Sequence, residues 1–247
     1  MIKLLALREL RSLLSTPSTW FMLAALQFIF AWFFLARMDA YLELQPQLAQ
    51  LANAPGATAS IAAPVFNVVA LMLMMLIPMF TMRAIAEERR NQTLPLLLSS
   101  PLSSMQIVLG KFLGLMLFLM VLMSSAPLMI YTLQLGTPLD QGLLWSNVLG
   151  LILLSASYAA LGLYMSSLTN QPVIAAISTL AVLLGLWLAD ISSNAPDSPW
   201  HMFSPLFHFQ NFNFGLLDSG DAVFFLSFSS VFLLLAMRRL NNNRVYG

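Results

Sequence analysis

The sequence predicts an all-α membrane protein with six transmembrane helices, and two observations lead to that class. First, 59% of the 247 residues are hydrophobic and only 9% are charged, whereas soluble proteins average about 25% charged residues. Second, six apolar stretches approach the roughly 20 residues that a helix needs to cross a bilayer. With short connections between them, they predict a single membrane domain over residues 1–247. The predicted spans are residues 18–37, 64–87, 105–133, 143–168, 172–190 and 221–238.

The distribution of positive charge predicts the orientation. Of the 11 Lys and Arg residues, only Arg37 lies at the far end of span one; the others precede span one, follow span six, or lie at 83–111 between spans two and three. Loops rich in Lys and Arg stay in the cytoplasm. We therefore expect both termini and the 83–111 segment to be cytoplasmic.

Residues 1–16 have the pattern of an amphipathic helix. Leu4 and Leu7 contribute to an apolar side, whereas Arg8 and Arg11 lie among polar residues. Such a helix rests in the headgroup region of a bilayer, with its cations near anionic lipids. We therefore predict an interfacial helix that ends before Pro17, where span one begins.

Two connections are expected on the outer side. Residues 38–63 read as a short helix near 41–51 followed by a flexible, Ala/Gly/Pro-rich connector that ends at Pro64. Residues 190–221 mix prolines with aromatic side chains, a composition that favours the membrane interface. Within it, His201 and His208 are seven residues apart, which is not a common metal-ligand spacing, so we interpret them as interfacial or hydrogen-bonding residues.

The spans themselves offer little chemistry. Ionisable side chains are absent from their middles, which argues against an ion-coupled carrier and against an intramembrane protease. Met72, Met75, Met79 and Met82 share one face of span two, which fits either adaptable packing or a soft-metal relay. The chain has no Cys and no glycine-rich phosphate-binding loop. We therefore expect no metal or cofactor in this chain and no nucleic-acid partner.

The segment 83–111 is the most informative part of the sequence. Charged residues 87–90 extend span two into water, Pro95 suits the first turn of a new helix, and leucines follow before Pro101. A short apolar helix between charged flanks needs a surface that buries it. That surface is either the bilayer face or a groove on a cytosolic partner.

This region resembles the coupling-helix region of type-2 permeases of ATP-binding-cassette (ABC) transporters. The resemblance rests on E-E-R-R-N-Q-T-L-P-L-L-L-S-S-P-L-S followed by V-L-G-K-F, and looks most like the gliding-motility (GldF-like) and nitrous-oxide-reductase-maturation (NosY-like) branch. It extends over nearly the full chain through L-R-E-L-R-S-L-L-S-T-P, S-S-L-T-N-Q and S-P-L-F-H-F-Q-N-F. Family members usually have Gly-Thr-Leu-Glu where this chain has Gln92-Thr93-Leu94-Pro95. The loss of Gly disfavours a tight left-handed turn at Gln92.

The resemblance implies a permease dimer, of two identical or paralogous chains, on a dimer of cytosolic ABC ATPase subunits in the bacterial inner membrane. ATP and Mg²⁺ would be bound by the ATPase, so this chain would not itself be an enzyme. A coupling helix at about 94–100 and the turn 166–171 would contact the ATPase, and residues 1–16 would be the connecting helix. The implied contact residues are Glu87, Glu88, Arg89, Arg90, Thr93, Leu94, Leu96, Leu97, Leu98, Ser99, Ser167, Thr169 and Asn170.

Two readings of this permease stay open. It exports or flips a substrate, or it is a membrane anchor that passes motion to a periplasmic partner protein while nothing crosses. The scarcity of polar residues along the spans keeps the second reading open. Neither the substrate nor the direction of transport follows from the sequence.

Overall fold

The computed structural model describes residues 2–48, 56–94, 102–136, 138–192 and 200–246, and every regular element in these ranges is helical. Two short 3-10 helices cover Thr132–Leu135 and His201–Phe203. The α-helices are α1 (Ile2–Ser15), α2 (Pro17–Leu48), α3 (Ala57–Thr81), α4 (Arg83–Arg90), α5 (Ser104–Met123), α6 (Ser125–Tyr131), α7 (Gln141–Leu168), α8 (Pro172–Ser192), α9 (Pro205–Asn213) and α10 (Ser219–Tyr246).

Six helical stretches in the described residues are long and apolar enough to cross a membrane, which confirms the predicted fold class. Span two combines α3 and α4, and span three combines α5, α6 and the first 3-10 helix; the other spans are α2, α7, α8 and α10. Their bounds are Pro17–Gln47, Ala57–Arg90, Ser104–Leu135, Gln141–Leu168, Pro172–Ser192 and Ser219–Asn242.

Span four lies at the centre of the bundle. Helix α7 packs against α3, α5, α8, α9 and α10. Of the most apolar part of each span, 61% is buried in span four, compared with 17% in span five and 22% in span one. Large side chains fill the middle of the bundle, since Phe66, Phe118 and Tyr158 are each at most 1% exposed. Spans one and five therefore present most of their apolar surface to lipid or to another chain.

The prediction for residues 38–63 was wrong about where the helices begin and end. Helix α2 runs without interruption to Leu48, so the predicted helix is a continuation of span one over the described residues 41–48, and the predicted connector is already helical from Ala57. Pro64 lies inside α3 instead of ending a loop. The Ala-rich stretch 57–63 has high helix propensity, and proline is tolerated inside membrane helices because neighbouring helices satisfy the freed backbone groups.

The bundle has two chemically different ends. Ion pairs and hydrogen bonds bring α1, α4, the start of α5 and the end of α7 together at one end, which we call the basic end. At the opposite end, α9 packs on the start of α7, where the Ser146 hydroxyl donates to the Phe212 carbonyl oxygen. Leu240 of α10 packs with Ile85 of α4 at the basic end, so the segments that carry most of the cations converge there.

Candidate functional site at the basic end

Helix α4 positions the charged residues that the sequence analysis singled out. Ala84, Ile85 and Ala86 are buried against neighbouring helices, with Ile85 at 0% exposure. The other side of the helix carries Glu87, Glu88 and Arg89, which are half-buried, and Arg90, which is exposed. An eight-residue helix with one apolar stripe and one charged face is held by that stripe. Its charged face is therefore presented at a fixed angle beyond the apolar core.

The helical backbone hydrogen bonds of span two are interrupted between α3 and α4, and a side chain of span four bonds to the backbone groups there. The Ser166 hydroxyl oxygen accepts from the backbone N–H groups of Ile85 (3.1 Å) and Ala86 (3.0 Å). The same hydroxyl donates to the Met82 carbonyl oxygen at 3.0 Å. Met82 keeps right-handed helical angles, φ −56° and ψ −34°. The chain direction is thus maintained while its hydrogen bonds pass to another helix.

Close contact between spans two and four depends on Gly162. A Cβ atom at this position would lie 2.2 Å from the Thr81 Oγ1 atom and 2.7 Å from the Thr81 Cβ atom. Contacts this short do not occur, so any larger residue would separate the helices. Gly162 therefore brings Ser166, one helical turn further along α7, within hydrogen-bonding reach of α4.

The turn after α4 is left-handed, which corrects the expectation for Gln92. The Thr93 N–H group donates to the Glu88 carbonyl oxygen at 2.9 Å, and the Gln92 N–H group donates to the Arg89 carbonyl oxygen at 3.2 Å. This is a Schellman motif, which requires a positive φ at the residue after the cap. Gln92 adopts φ +57°, the one positive φ of a non-glycine residue in the described ranges. The motif's paired bonds outweigh the steric cost that the missing glycine imposes.

Beyond this turn, only the first residue of the predicted coupling helix is described. Leu94 is 5% exposed and packs with Ile85, Ile107, Val108 and Leu163. Leu96, Leu97, Leu98 and Ser99 lie outside the described residues, so their predicted contacts stay predictions. Leu94 therefore anchors the entry of this segment to the chain's own core.

Lys111 joins three helices, a role that the sequence analysis missed. Its Nζ atom lies 2.8 Å from a Glu88 carboxylate oxygen on α4 and 3.5 Å from a Glu9 carboxylate oxygen on α1. The Lys111 side chain is 9% exposed, and the two glutamates are about one-fifth exposed. A buried ammonium group needs such partners. The signal was present in the sequence, because a lysine one turn inside an apolar run requires a carboxylate nearby.

Helix α1 approaches Lys111 closely because two glycines of α5 leave space for its backbone. A Cβ atom at Gly110 would lie 2.7 Å from the Leu5 Cβ atom, and one at Gly114 would lie 2.7 Å from the Ala6 carbonyl oxygen. Gly110 and Gly114 therefore serve close helix packing within the chain.

The outward side of α1 fits its predicted interfacial position, which stays a prediction. Leu4 (68% exposed) and Leu7 (57% exposed) point away from the bundle, and Arg8 and Arg11 are also exposed. A cavity of about 500 Å³ with polar and apolar walls opens between α1, the start of α2, the end of α3 and α4, and Lys111 of α5 also lines it. The charged groups around Lys111 therefore border a space that water can enter.

The turn between α7 and α8 offers a smaller surface than predicted. Ser167 is fully buried and donates to the Tyr164 carbonyl oxygen at 2.6 Å. The Thr169 hydroxyl accepts from the Gln171 N–H group, and Asn170 is exposed. A partner that docks on this turn would reach Thr169 and Asn170 before Ser167.

At the opposite end, both histidines pair with buried aspartates. His201 Nδ1 lies 2.5 Å from an Asp190 carboxylate oxygen, and His208 Nδ1 lies 2.6 Å from an Asp221 carboxylate oxygen. Both aspartates accept a second hydrogen bond, Asp190 from Ser204 and Asp221 from Asn211. The interpretation of His201 and His208 as hydrogen-bonding residues is therefore confirmed. Both pairs secure the segment between spans five and six.

Among the described residues, the charged side chains of the basic end form bonds between helices. In the described ranges, no three His, Cys, Asp or Glu side chains are grouped as a metal site would require. The methionine stripe of span two is partly outward, with Met75 at 54% and Met79 at 46% exposure. Glu88 Oε2 and Arg89 Nη2 are buried without a hydrogen-bond partner among the described residues, so they offer an acceptor and a donor beside the turn after α4.

Comparison with known families gives one match. Residues 34–237 match the family profile described as "ABC-2 family transporter protein", which covers more than half of the chain. No curated protein matches the chain.

Proposed function

Because the chain belongs to the ABC-2 family of transporter proteins, we propose that its basic end couples a cytosolic ABC ATPase to motion of the membrane bundle. The chain is a multi-pass membrane permease subunit of an ABC transporter. We propose that two permease chains, identical or paralogous, rest on two ATPase subunits, which bind ATP and Mg²⁺. Both termini would be cytoplasmic in a bacterial inner membrane. Within the family, we place the chain in the gliding-motility and nitrous-oxide-reductase-maturation branch.

One observation carries this proposal: α4, which bears the charged face, is tied to three other helices. Lys111 links α4 to α1 and α5, and Ser166 links α4 to α7. Force applied to residues 91–100 would therefore reach spans three and four as well as span two. A loop that only connected two spans would not need these long-range contacts.

The unsatisfied groups of α4 support a docking partner at this place. Buried polar atoms in native proteins nearly always have a hydrogen-bond partner. Glu88 Oε2 and Arg89 Nη2 lie next to the turn that leads into residues 95–101, and have none among the described residues. We propose that the coupling helix or the ATPase supplies these hydrogen bonds.

The filled centre of the bundle constrains where a substrate would move. Phe66, Phe118 and Tyr158 occupy the middle of the chain with at most 1% exposure. A translocation path would therefore run along the outside of one bundle, between two copies. The same packing also fits the second reading, in which the chain transmits motion to a periplasmic protein and transports nothing.

Leu97→Asp in the permease–ATPase complex tests the proposal. A charge placed in an apolar socket costs several kcal/mol, so we expect ATPase co-purification and permease-dependent ATP hydrolysis to fall together. Leu217→Asp, at a 67% exposed position of the opposite end, is the matched control and should change neither. Unchanged ATPase binding and activity in Leu97→Asp would contradict the coupling-helix assignment.

Glu87→Lys tests the charged face separately. Glu87 is preferable to Glu88 because Glu88 also pairs with Lys111. A reversed charge at a docking surface should weaken assembly, and most strongly at low salt, where charges are least screened. Assembly of this variant that equals wild type at every salt concentration would exclude Glu87 from the contact.

A further inference from the structure

Between α3 and α4 the backbone hydrogen bonds of span two are interrupted, and the Ser166 hydroxyl of span four bonds to the backbone groups at this junction. From the three hydrogen bonds of Ser166, to Ile85, Ala86 and Met82, we infer that Ser166 is the positioning residue that sets the angle of α4 during coupling. This inference rests on the proposed function, since it concerns how the basic end transmits motion.

The geometry makes the junction a hinge. In a regular α-helix the Ile85 and Ala86 N–H groups would donate to the carbonyl groups of Thr81 and Met82. Here both donate to Ser166 Oγ, at 3.1 and 3.0 Å, and the Met82 carbonyl oxygen accepts from the same hydroxyl at 3.0 Å. The Thr81 hydroxyl also donates to the Ile77 carbonyl oxygen of the preceding turn. The junction therefore depends on one side chain of another helix.

Two arrangements of these bonds are available. When Ser166 holds the two N–H groups, α4 is bound to α7. When Ser166 releases them, the N–H groups can donate to the Thr81 and Met82 carbonyl groups and restore the ladder of span two. The first arrangement has three hydrogen bonds and the second has two, so the second lies higher by about one hydrogen bond, a difference that a docked partner can offset by binding it more tightly. A helix can bend at a place where a side chain inserts into its backbone hydrogen bonds in this way.

The surroundings allow this exchange while keeping the helices in place. Ser166 is 0% exposed, so water does not compete for its hydrogen bonds. Gly162 and Thr81 lie in contact one turn away, which keeps spans two and four together as α4 moves. Ile85 of α4 packs against Leu163 and Leu240, which form the apolar surface on which α4 would pivot.

Distance measurements between spin labels test the inference, and a chain with no native Cys suits them. Labels at Asn91→Cys, the exposed cap residue of α4, and Leu168→Cys, at the end of α7, report the angle between the two helices. The labelled permease is assembled with unlabelled ATPase, and the distance distribution is recorded without nucleotide and with trapped ATP. We expect a resolved shift between the two states.

Three variants in this labelled background distinguish the effect of the Ser166 hydroxyl bonds from the effect of a change in side-chain packing. Ser166→Ala should lose the ATP-dependent shift while still co-eluting with the ATPase. Ser166→Thr keeps the hydroxyl and should retain the shift. Ser155→Ala is the matched control, because Ser155 is equally buried on α7 but its hydroxyl meets the Leu151 carbonyl oxygen and the Met123 sulfur, and makes no bond to α4.

The possible outcomes distinguish the role of Ser166 from the coupling function. A shift in Ser166→Ala equal to wild type, an equal loss in Ser155→Ala, or no rescue by Ser166→Thr would overturn the role of Ser166. An absence of any shift in the labelled wild-type background, despite ATPase assembly, would instead contradict the coupling function itself.

Discussion

The two ends of the bundle hold their polar groups in different ways. At the basic end, the contacts join residues far apart in the chain: Lys111 to Glu9 over 102 positions, and Ser166 to Ala86 over 80. At the opposite end, long-range bonds also occur, such as Ser146 to Phe212 over 66 positions, but the ionisable pairs His201–Asp190 and His208–Asp221 span only 11 and 13 positions. These local ionisable pairs secure one segment between two spans, whereas Lys111 joins three helices through its two glutamate partners. The basic end is therefore the part of the molecule suited to transmit force.

Lys111→Met should have the largest effect. It leaves the Glu88 and Glu9 carboxylates without their shared cation. Breaking a buried ion pair costs about 3–5 kcal/mol, and because the glutamates are about one-fifth exposed, we expect the low end of this range. Thermal unfolding in detergent would measure it, with Lys3→Met, at an exposed position of α1, as control. A melting temperature equal to that of the control would refute a structural role for Lys111.

Gly162→Ala should come next. The added methyl group would lie 2.2 Å from the Thr81 hydroxyl oxygen, and overpacking of a tight interface costs about 1–3 kcal/mol. Gly185→Ala is the control, because a Cβ atom there meets nothing within 4 Å. We expect a lower melting temperature and weaker ATPase stimulation for Gly162→Ala alone. Equal behaviour of the two variants would show that spans two and four do not need this close contact.

Asp221→Asn perturbs the opposite end and should be milder. His208 and Asn211 both donate to the Asp221 carboxylate, and an amide can accept only part of this bonding, at a cost of about 1–2 kcal/mol. Stability should fall while the affinity for the ATPase stays at the wild-type value. Loss of ATPase binding in this variant would remove the distinction between the two ends.

Gln92→Gly should have the smallest effect, and it should be stabilising. Gln92 has φ +57°, a conformation that costs a non-glycine residue about 1–2 kcal/mol. Glycine removes this strain but loses more chain entropy on folding, so we expect a net gain of about 0.5–1 kcal/mol. Asn91→Gly, at φ −81°, should bring no gain. A destabilised Gln92→Gly variant would mean that the glutamine side chain makes a contact of its own.

The sequence was sufficient for the features that depend on local composition. Six apolar stretches gave six spans, the break before Pro17 was expected, and α1 was recognised from its pattern. The features that depend on folding were not accessible in the same way. Nothing near Ser166 in the chain indicates that its hydroxyl meets Ile85 and Ala86 some 80 positions away. The extent of α2 and α3 was misjudged because proline signals are weaker in membrane helices than in soluble proteins.

The left-handed turn at Gln92 shows a different limit. Residue preference argued against it, but the hydrogen bonds of the Schellman motif impose it regardless of the side chain. Lys111 is intermediate: the need for a partner follows from its apolar surroundings, whereas the choice of Glu9 and Glu88 follows only from the fold.

Site-specific cross-linking tests the central claim most directly. A photoactivatable cross-linker on a single cysteine at Asn91, exposed on the turn after α4, is compared with one at Trp200, exposed at the opposite end, in membranes that contain the native ATPase. We predict an ATPase adduct from Asn91→Cys and none from Trp200→Cys. An ATPase adduct from the Trp200 position, or none from Asn91 in an assembled complex, would contradict docking at the basic end.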